Sequence, residues 1–274
     1  MKCAFRSVAV ISTVLGSLSV ASRAAPAAEY PRIEGCAVAG DQMGSFYARQ
    51  AIPTLPISVY VSTKFTSAQQ SAVFQAIHEW NAFGLKSFGK IIFDWQQGSP
   101  LPGYAISGNP TEGFGQVSQV SRLAIVPAVL EGNVMGLTSA SGTLLDWRSS
   151  SPVYTQHLVQ LGSLSPGFNR ADDGIIASVT LHELGHVMGL DHSCTDEAGH
   201  PDFVSCMNLP ARGGDEASPY FLAVMYPSNS RISIEDGSNV SEEWVKKEEL
   251  TLNDLERGFC SLRPEGRPVH SVDR

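Results

Sequence analysis

The alternation of apolar and polar residues along the chain predicts a β-sheet with helical packing. Residues 57–62 alternate between apolar and polar side chains, which is typical of a half-buried strand. From Ser67 onward apolar residues recur at helical spacing, and this pattern ends near Gly84. Further short β-like runs, separated by Gly, Pro and Ser clusters, predict strands at residues 90–95, 122–129, 136–140 and 153–161. Together these patterns indicate an α+β fold with a mostly five-stranded sheet and one helix packed on it.

Two more helices are predicted in the C-terminal half of the chain. The first begins at Asp172 or Asp173, acidic residues that suit a helix N-terminus, and should end at Gly189. The second begins at Thr251, with Asp254 placed for a capping box. Its spacing predicts one apolar face made of Leu252, Leu255, Phe259 and Leu262. The chain between the two helices is interpreted as mostly polar loop.

The N-terminal residues have the layout of a secretory signal peptide. Residues 1–27 begin with Lys2 and Arg6, continue through an uncharged apolar stretch and reach a cluster of small residues. We expect cleavage after Ala24 or Ala27. A membrane anchor would need about 20 apolar residues, and this run is shorter and rich in serine. The mature protein is therefore expected to be secreted and extracellular, or periplasmic if the source is Gram-negative.

The remaining chain is divided into three parts on pattern and composition. Residues 28–55 form a lead-in segment without periodicity, residues 56–265 one folded domain, and residues 266–274 a tail. The chain has 19 basic and 27 acidic residues, a net charge of −8, and no long run of Lys or Arg. Nucleic acid and, after signal cleavage, membranes are therefore excluded as expected partners, because both are recognised through clustered positive charge or long apolar segments.

Four cysteines remain once the signal peptide is removed, and an even number in an exported chain favours disulfide bonds. We expect Cys194 to pair with Cys206, which closes a small loop. Cys36 would then pair with Cys260 and tie the two ends of the domain together. Four cysteines allow three connectivities, and these two pairs are one of them.

The candidate chemistry lies in the segment HELGHVMGLDH. His182 and His186 are four residues apart, so they lie on one face of a helix and suit two imidazoles binding one Zn²⁺. Glu183 is adjacent to the first histidine and can accept a proton beside the metal. Gly189 can adopt the left-handed conformation that redirects the chain, which would bring His192 to the metal as third ligand. Three protein ligands leave one position open, which is typical of a catalytic zinc site.

This motif resembles that of the metzincin clan of zinc peptidases, and within it the matrixins, the matrix-metalloproteinase type. The resemblance also rests on Ser193 directly after the third histidine and on Met225 followed by Tyr226 and Pro227. It covers roughly residues 56–262. It implies a zincin-like fold with a twisted mixed five-stranded sheet, two long helices, a Met-turn at Met225 and a C-terminal helix.

The resemblance implies a secreted zinc-dependent endopeptidase that hydrolyses peptide bonds by metal-activated water, with Glu183 as general base. One catalytic Zn²⁺ would be the cofactor, and Ca²⁺ is a further candidate to which no ligands are assigned. The expected partners are protein or peptide substrates, and we expect a monomer. A long insertion between His192 and Met225 departs from the matrixin pattern.

The resemblance also implies where a substrate binds. An extended peptide would pair with an edge strand, for which the candidate residues are Gly136, Leu137 and Thr138. The side-chain pocket would be walled by the chain after Met225, including Tyr226 and Pro227.

Two alternative functions stay open. One is a catalytically impaired zinc-binding interaction module, against which the intact Glu183 argues. The other is a zinc hydrolase of non-peptide amides. A second histidine–glutamate pair, His78 and Glu79, looks like half of another such motif, but residue 82 is alanine, and we interpret the pair as lying on a helix surface.

Overall fold

The structure is a computed structural model, and it describes most of the predicted domain. The described residues are 29–34, 55–95, 122–131, 134–143, 153–163, 173–194, 206, 219–227, 231–236, 239–244 and 247–262. The predicted signal peptide (1–27), most of the lead-in segment (28–55), Cys36 and the tail (266–274) lie outside the described residues. These parts of the sequence analysis therefore stay predictions.

The described elements are seven strands and four helices. The strands are β1 (Ile57–Val61), β2 (Phe93–Trp95), β3 (Leu123–Pro127), β4 (Gly136–Thr143), β5 (Val153–Leu161), β6 (Arg231–Asp236) and β7 (Asn239–Trp244). The helices are α1 (Ser67–Phe88), α2 (Asp173–Val187), α3 (Pro219–Leu222) and α4 (Leu252–Leu262).

Strands β1 to β5 form one mixed sheet in the order β2-β1-β3-β5-β4. The first four are parallel neighbours, with Val59 opposite Leu123 and Ile125 opposite Val159. Strand β4 lies at the edge and runs antiparallel to β5, with Thr138 opposite Val159. The predicted α+β class and the mixed five-stranded sheet are confirmed.

Helices α1 and α2 pack against each other and enclose the main core with the sheet. Trp80 of α1 is fully buried, and its indole N–H donates to the carbonyl of Leu181 in α2 at 2.9 Å. The core contains residues from both helices and the sheet, including Val59, Ile77, Trp80, Ile125, Val159, Ile176 and Leu184. Burial of these side chains, worth about 1.5–3 kcal/mol each, holds α2 against the sheet.

Helix α1 is longer than the sequence pattern indicates. It begins with a capping box between Thr66 and Gln69 and ends at Gly89, which has a φ of 67°. The prediction that it ends near Gly84 is wrong. Gly84 is instead a close-packing position, because a Cβ there would lie 2.7 Å from the Cγ1 of Ile92.

Helix α4 has the predicted capping box, with Thr251 N–H donating to the Asp254 carboxylate at 3.0 Å. The predicted apolar face is wrong at Leu252, which is 56% exposed. Leu252 is the first residue of the helix, and packing begins one turn later at Leu255. Phe259 and Leu262 are buried as expected.

Two features within stretches interpreted as irregular are ordered. Strands β6 and β7 form an antiparallel hairpin where a polar stretch was expected, although Ile232 and Ile234 alternate with polar residues there. In the lead-in segment, Tyr30 is buried and belongs to the core cluster.

Within the described ranges, no helix combines the length and apolarity needed to cross a membrane.

Candidate metal centre

Two of the predicted metal ligands lie side by side on α2. The Nε2 atoms of His182 and His186 are 3.1 Å apart. The Nδ1 atom of His182 lies 2.8 Å from the carbonyl oxygen of Val224, and that of His186 lies 2.8 Å from the carbonyl oxygen of Leu190. Since a carbonyl only accepts hydrogen bonds, each Nδ1 carries the proton and each Nε2 carries the lone pair. The two lone pairs therefore face each other across a gap that suits a cation.

The chain turns sharply after α2 and brings the third histidine to the same place. Gly189 has a φ of 89°; its N–H donates to the His186 carbonyl, and the Leu190 N–H donates to the Gly185 carbonyl. These two bonds make a Schellman motif, the helix ending that a left-handed glycine permits. As a result, the ring of His192 lies 5.3 Å from that of His182 and 5.0 Å from that of His186, between centroids.

The three histidines fit a tetrahedral metal ion. Each offers one nitrogen, and these atoms all lie within 4.8 Å of one another. Ligands at Zn–N distances of 2.0–2.1 Å in tetrahedral geometry would be about 3.3 Å apart, close to the 3.1 Å between the first two nitrogens. Within the described ranges this is the single cluster of three or more His, Cys, Asp or Glu side chains that could share an ion. Nothing there supports the calcium expected from the resemblance.

All three imidazoles are held in the neutral form that binds metals. Burial lowers the pKa of His182 well below its usual range, and the neighbouring His186 and His192 act in the same direction. Burial also lowers the pKa of His186 to about 4 and lowers the pKa of His192. Protonation of any ring would place a positive charge beside the other two.

Glu183, the predicted general base, is held by the edge strand of the sheet. The Thr138 hydroxyl lies 2.6 Å from the Glu183 carboxylate and 3.1 Å from its main-chain carbonyl oxygen. Burial raises the pKa of Glu183 to about 7, and the hydrogen bond from Thr138 acts in the opposite direction. A Cβ at Gly136 would overlap the Glu183 side chain, so only glycine allows this approach of β4 to α2.

Met225, predicted to form the Met-turn, is fully buried against α2 below the histidines. A Cβ at Gly185, between the two helical histidines, would overlap the Met225 sulfur. The Met225 carbonyl accepts a hydrogen bond of 2.7 Å from the N–H of Ser193, the residue after the third histidine. The methionine therefore packs on the segment that presents the ligands.

The residues predicted to form a substrate pocket occupy different positions. Gly136 and Thr138 contact Glu183 as described above, whereas Leu137 is 39% exposed on the edge strand. Tyr226 is half-buried, with its ring 5.0 Å from that of Phe221, and Pro227 is exposed. The tyrosine follows Met225 directly in the sequence.

Three charged residues that the sequence analysis did not assign to the site support it from below. The Asp254 carboxylate accepts the N–H groups of Val224 and Met225 at 2.9 and 3.2 Å. The Lys247 ammonium donates to main-chain carbonyls of α3 and the residue after it, and burial lowers its pKa to about 8 while Asp254 opposes that shift. Arg257 donates to the carbonyls at residues 191 and 192 at 2.8 and 3.2 Å. No local motif assigns these residues to the site, because their partners there are far away in sequence.

The predicted disulfide between Cys194 and Cys206 is present. Cys260 is also disulfide-bonded. Cys36 lies outside the described residues, so its pairing with Cys260 stays a prediction.

The interpretation of the second histidine–glutamate pair as a helix surface is correct for His78 and wrong for Glu79. His78 is exposed on α1, as expected of a helix surface. Glu79 is buried, and its carboxylate accepts a hydrogen bond from the Tyr30 hydroxyl. The same hydroxyl accepts a hydrogen bond from the N–H of Leu250. The carboxylate therefore anchors the lead-in segment.

Comparisons with known proteins give distant structural similarities, of which two are described. The structure of myroilysin is 16% identical, with a TM-score of 0.36, and the match covers 79% of this chain and 96% of that chain. High choriolytic enzyme 1, a hatching enzyme zinc-protease from Oryzias latipes (Medaka fish), is 12% identical, with a TM-score of 0.33 and coverage of 77% and 92%. No protein-family model and no curated protein sequence matches the chain. The activity is therefore inferred from the site itself.

Proposed function

We propose that the protein is a secreted zinc-dependent endopeptidase of the metzincin type, with a matrixin-like catalytic domain. The observation that carries the proposal is the convergence of three imidazoles, from His182, His186 and His192, beside the buried carboxylate of Glu183. Three histidines without a fourth protein ligand are typical of a catalytic rather than a structural zinc site. Protein or peptide chains are the proposed substrates.

The metal and the protein would divide the chemistry between them. Bound Zn²⁺ supplies Lewis acidity, lowering the pKa of water to about 7 and polarising the scissile carbonyl. Glu183 accepts the proton of the attacking water and passes it to the departing amine as the peptide bond breaks. The Thr138 hydroxyl, 2.6 Å from the carboxylate, fixes the direction in which Glu183 presents its oxygens.

The edge strand would bind the substrate main chain. Among the described residues, strand β4 pairs with β5 alone, so its other side offers main-chain N–H and C=O groups to an extended peptide. Because Thr138 on this strand contacts Glu183, a peptide paired there would lie next to the base. Tyr226 and Pro227 are the proposed wall of the side-chain pocket.

The remaining features of the proposal concern the setting of the enzyme. The predicted signal peptide and the Cys194–Cys206 disulfide support export to an oxidising compartment. We propose that the mature enzyme acts as a monomer, without nucleic acid or membrane partners.

Cleavage of casein or gelatin by the purified mature chain tests the proposal. We expect proteolysis that a chelator abolishes and added Zn²⁺ restores, and no proteolysis by a His192→Ala variant. A zinc-loaded wild-type protein that cleaves neither protein would contradict the proposed function. Release of amines from non-peptide amides would then indicate an amide hydrolase, and inertness toward both substrate classes an interaction module.

A further inference from the structure

A buried lysine lies near His182 of the proposed metal centre. Lys247 is 7% exposed, and its ammonium donates to the carbonyls of Phe221 and Ala223 at 2.8 Å each. The ammonium also lies 4.6 Å from the centre of the Tyr226 ring and 5.5 Å from that of Phe221. Removing a charged amine from water costs several kcal/mol unless such partners replace the water. The lysine is therefore bound in a defined orientation by the segment 221–226.

This segment is held from two sides by opposite charges. Lys247 binds its carbonyls at residues 221 and 223, and Asp254 binds its N–H groups at residues 224 and 225. Charge-assisted hydrogen bonds of this kind are shorter and stronger than those between neutral groups. The main chain between them has little freedom to rotate.

The peptide group held in this way also contacts a proposed metal ligand. The Met225 N–H donates to Asp254, and the Val224 carbonyl of the same peptide group accepts a hydrogen bond from Nδ1 of His182 at 2.8 Å. That hydrogen bond sets the tautomer of His182 and the angle of its ring. In addition, the Lys247 main-chain N–H donates to the Ser178 hydroxyl, one turn before His182 on α2. Lys247 therefore contacts both α2, which bears His182, and the segment whose Val224 carbonyl orients the His182 ring.

We infer that Lys247 is a positioning residue for the zinc centre: by binding the Phe221 and Ala223 carbonyls it places the Val224 carbonyl that orients His182. The inference rests on the proposed zinc site. A neutral unbranched side chain at residue 247 fills the same space but removes the ammonium donor from both carbonyls, so that the Ala223 carbonyl keeps only the Tyr226 N–H at 3.2 Å. The 221–226 segment then relaxes, the carbonyl of Val224 shifts, and His182 loses its fixed ring angle.

The test measures zinc binding rather than proteolysis. The mature wild type and a Lys247→Met variant are compared by competition for Zn²⁺ against a chelator and by the visible absorption of the Co²⁺-substituted proteins. Lys64→Met is the matched control, since Lys64 is exposed on the turn before α1. We expect the zinc dissociation constant of Lys247→Met to rise about tenfold or more, as for other groups that orient metal ligands. The Co²⁺ spectrum should shift in Lys247→Met and stay unchanged in the control.

Melting temperatures separate positioning from a general effect on the fold. A purely structural lysine would lower the melting temperature equally with excess Zn²⁺ and with chelator, and would leave the zinc dissociation constant unchanged. That result, in a folded Lys247→Met protein, overturns the inference. If Lys247→Met does not fold, Lys247→Leu, which also lacks a donor, replaces it, and a wild-type dissociation constant in that variant overturns the inference as well. A wild-type protein that binds no zinc at the three histidines overturns the proposed function and this inference together.

Discussion

Thr138 connects the sheet to the proposed chemistry through a single side chain. Its hydroxyl lies 2.6 Å from the carboxylate of Glu183 and 3.1 Å from the carbonyl of the same residue. A general base works when its oxygen is aimed at the proton it accepts, and a buried carboxylate without this contact has several rotamers available. The residue predicted to line the substrate cleft therefore also holds the carboxylate of the proposed base.

Thr138→Val should lower kcat for a peptide substrate by about tenfold or more, because valine has the same shape but does not donate a hydrogen bond. Thr138→Ser keeps the hydroxyl and should restore most of the activity. Zinc content should match wild type in both variants, since Thr138 contacts none of the histidines in the structure described. Equal kcat in Thr138→Val and wild type, with zinc bound, would show that Glu183 needs no such partner.

At this scale the sequence predicted the site residues whose geometry is local. His182 and His186 share a helical face, and one left-handed glycine, Gly189, brings His192 beside them. Thr138 and Lys247 act through contacts that are 45 and 24–26 residues apart in sequence. No spacing rule relates such residues, so their roles were visible only in the folded chain.

Among the elements, helix α4 and the turn that contains Met225 are joined by one carboxylate. Asp254 is fully buried. It caps α4 by accepting the N–H and hydroxyl of Thr251, and it also accepts the N–H groups of Val224 and Met225. The capping role is evident in the sequence, and the second role is not. Asp254 therefore caps α4 and also holds the turn that contains Met225.

Asp254→Ala should lower the free energy of unfolding by about 3 kcal/mol, since it removes a helix cap and leaves two buried N–H groups without an acceptor. The matched control is Thr66→Ala, which removes the cap of α1 alone and should cost about 1 kcal/mol. Both values come from urea unfolding with excess Zn²⁺. A loss in Asp254→Ala no larger than in Thr66→Ala would contradict the second role of the carboxylate.

The elements missed or misplaced have physical explanations. Gly84 is typical of a helix end, yet it lies inside α1. A glycine is needed there because Ile92, just before β2, packs where a Cβ would be. The hairpin β6–β7 shows the alternation typical of strands, but it lies within a long polar stretch that favours a loop. Glycine and polar residues have more than one structural use, and tertiary packing decides between them.

At the scale of the whole molecule, a buried histidine outside the metal centre is expected to affect stability. His157 is 3% exposed in strand β5, between β3 and β4, and among the described residues its Nδ1 has no hydrogen-bond partner. Burial lowers the pKa of His157 to about 4, and the charge of Arg122 acts in the same direction. In the unfolded chain the pKa would return to about 6.5. Between these two values the unfolded chain binds more protons, so stability falls as the pH drops from 6.5 toward 4.

Substitution of His157 by glutamine should therefore reduce the pH dependence of stability. Between pH 7.5 and 4.5 the wild type should lose about 2–3 kcal/mol more than His157→Gln does. Both proteins are unfolded with urea at the same excess of Zn²⁺, so the metal-site histidines contribute equally to the pH dependence of stability in both. His78→Gln, at an exposed histidine, should keep the wild-type profile. Parallel pH profiles for wild type and His157→Gln would contradict the prediction.

The fold class followed from the pattern of the chain, whereas the long-range connections did not. Tyr30 bonds to Glu79 and, across 220 residues, to Leu250, which anchors a segment interpreted as a mere lead-in. The strand order also required the structure, because the apolar pattern of a strand does not indicate which strands are its neighbours. Periodicity predicts which face of an element is buried, and it does not predict the partner.

The most direct test of the proposed enzyme compares zinc content and proteolysis in Glu183→Ala. Alanine removes the carboxylate and leaves the three imidazoles, so the variant should retain close to one Zn²⁺ per chain while casein cleavage is lost. A Glu183→Ala protein that binds zinc and cleaves casein as fast as wild type would contradict the assignment of Glu183 as the base and, with it, the proposed mechanism.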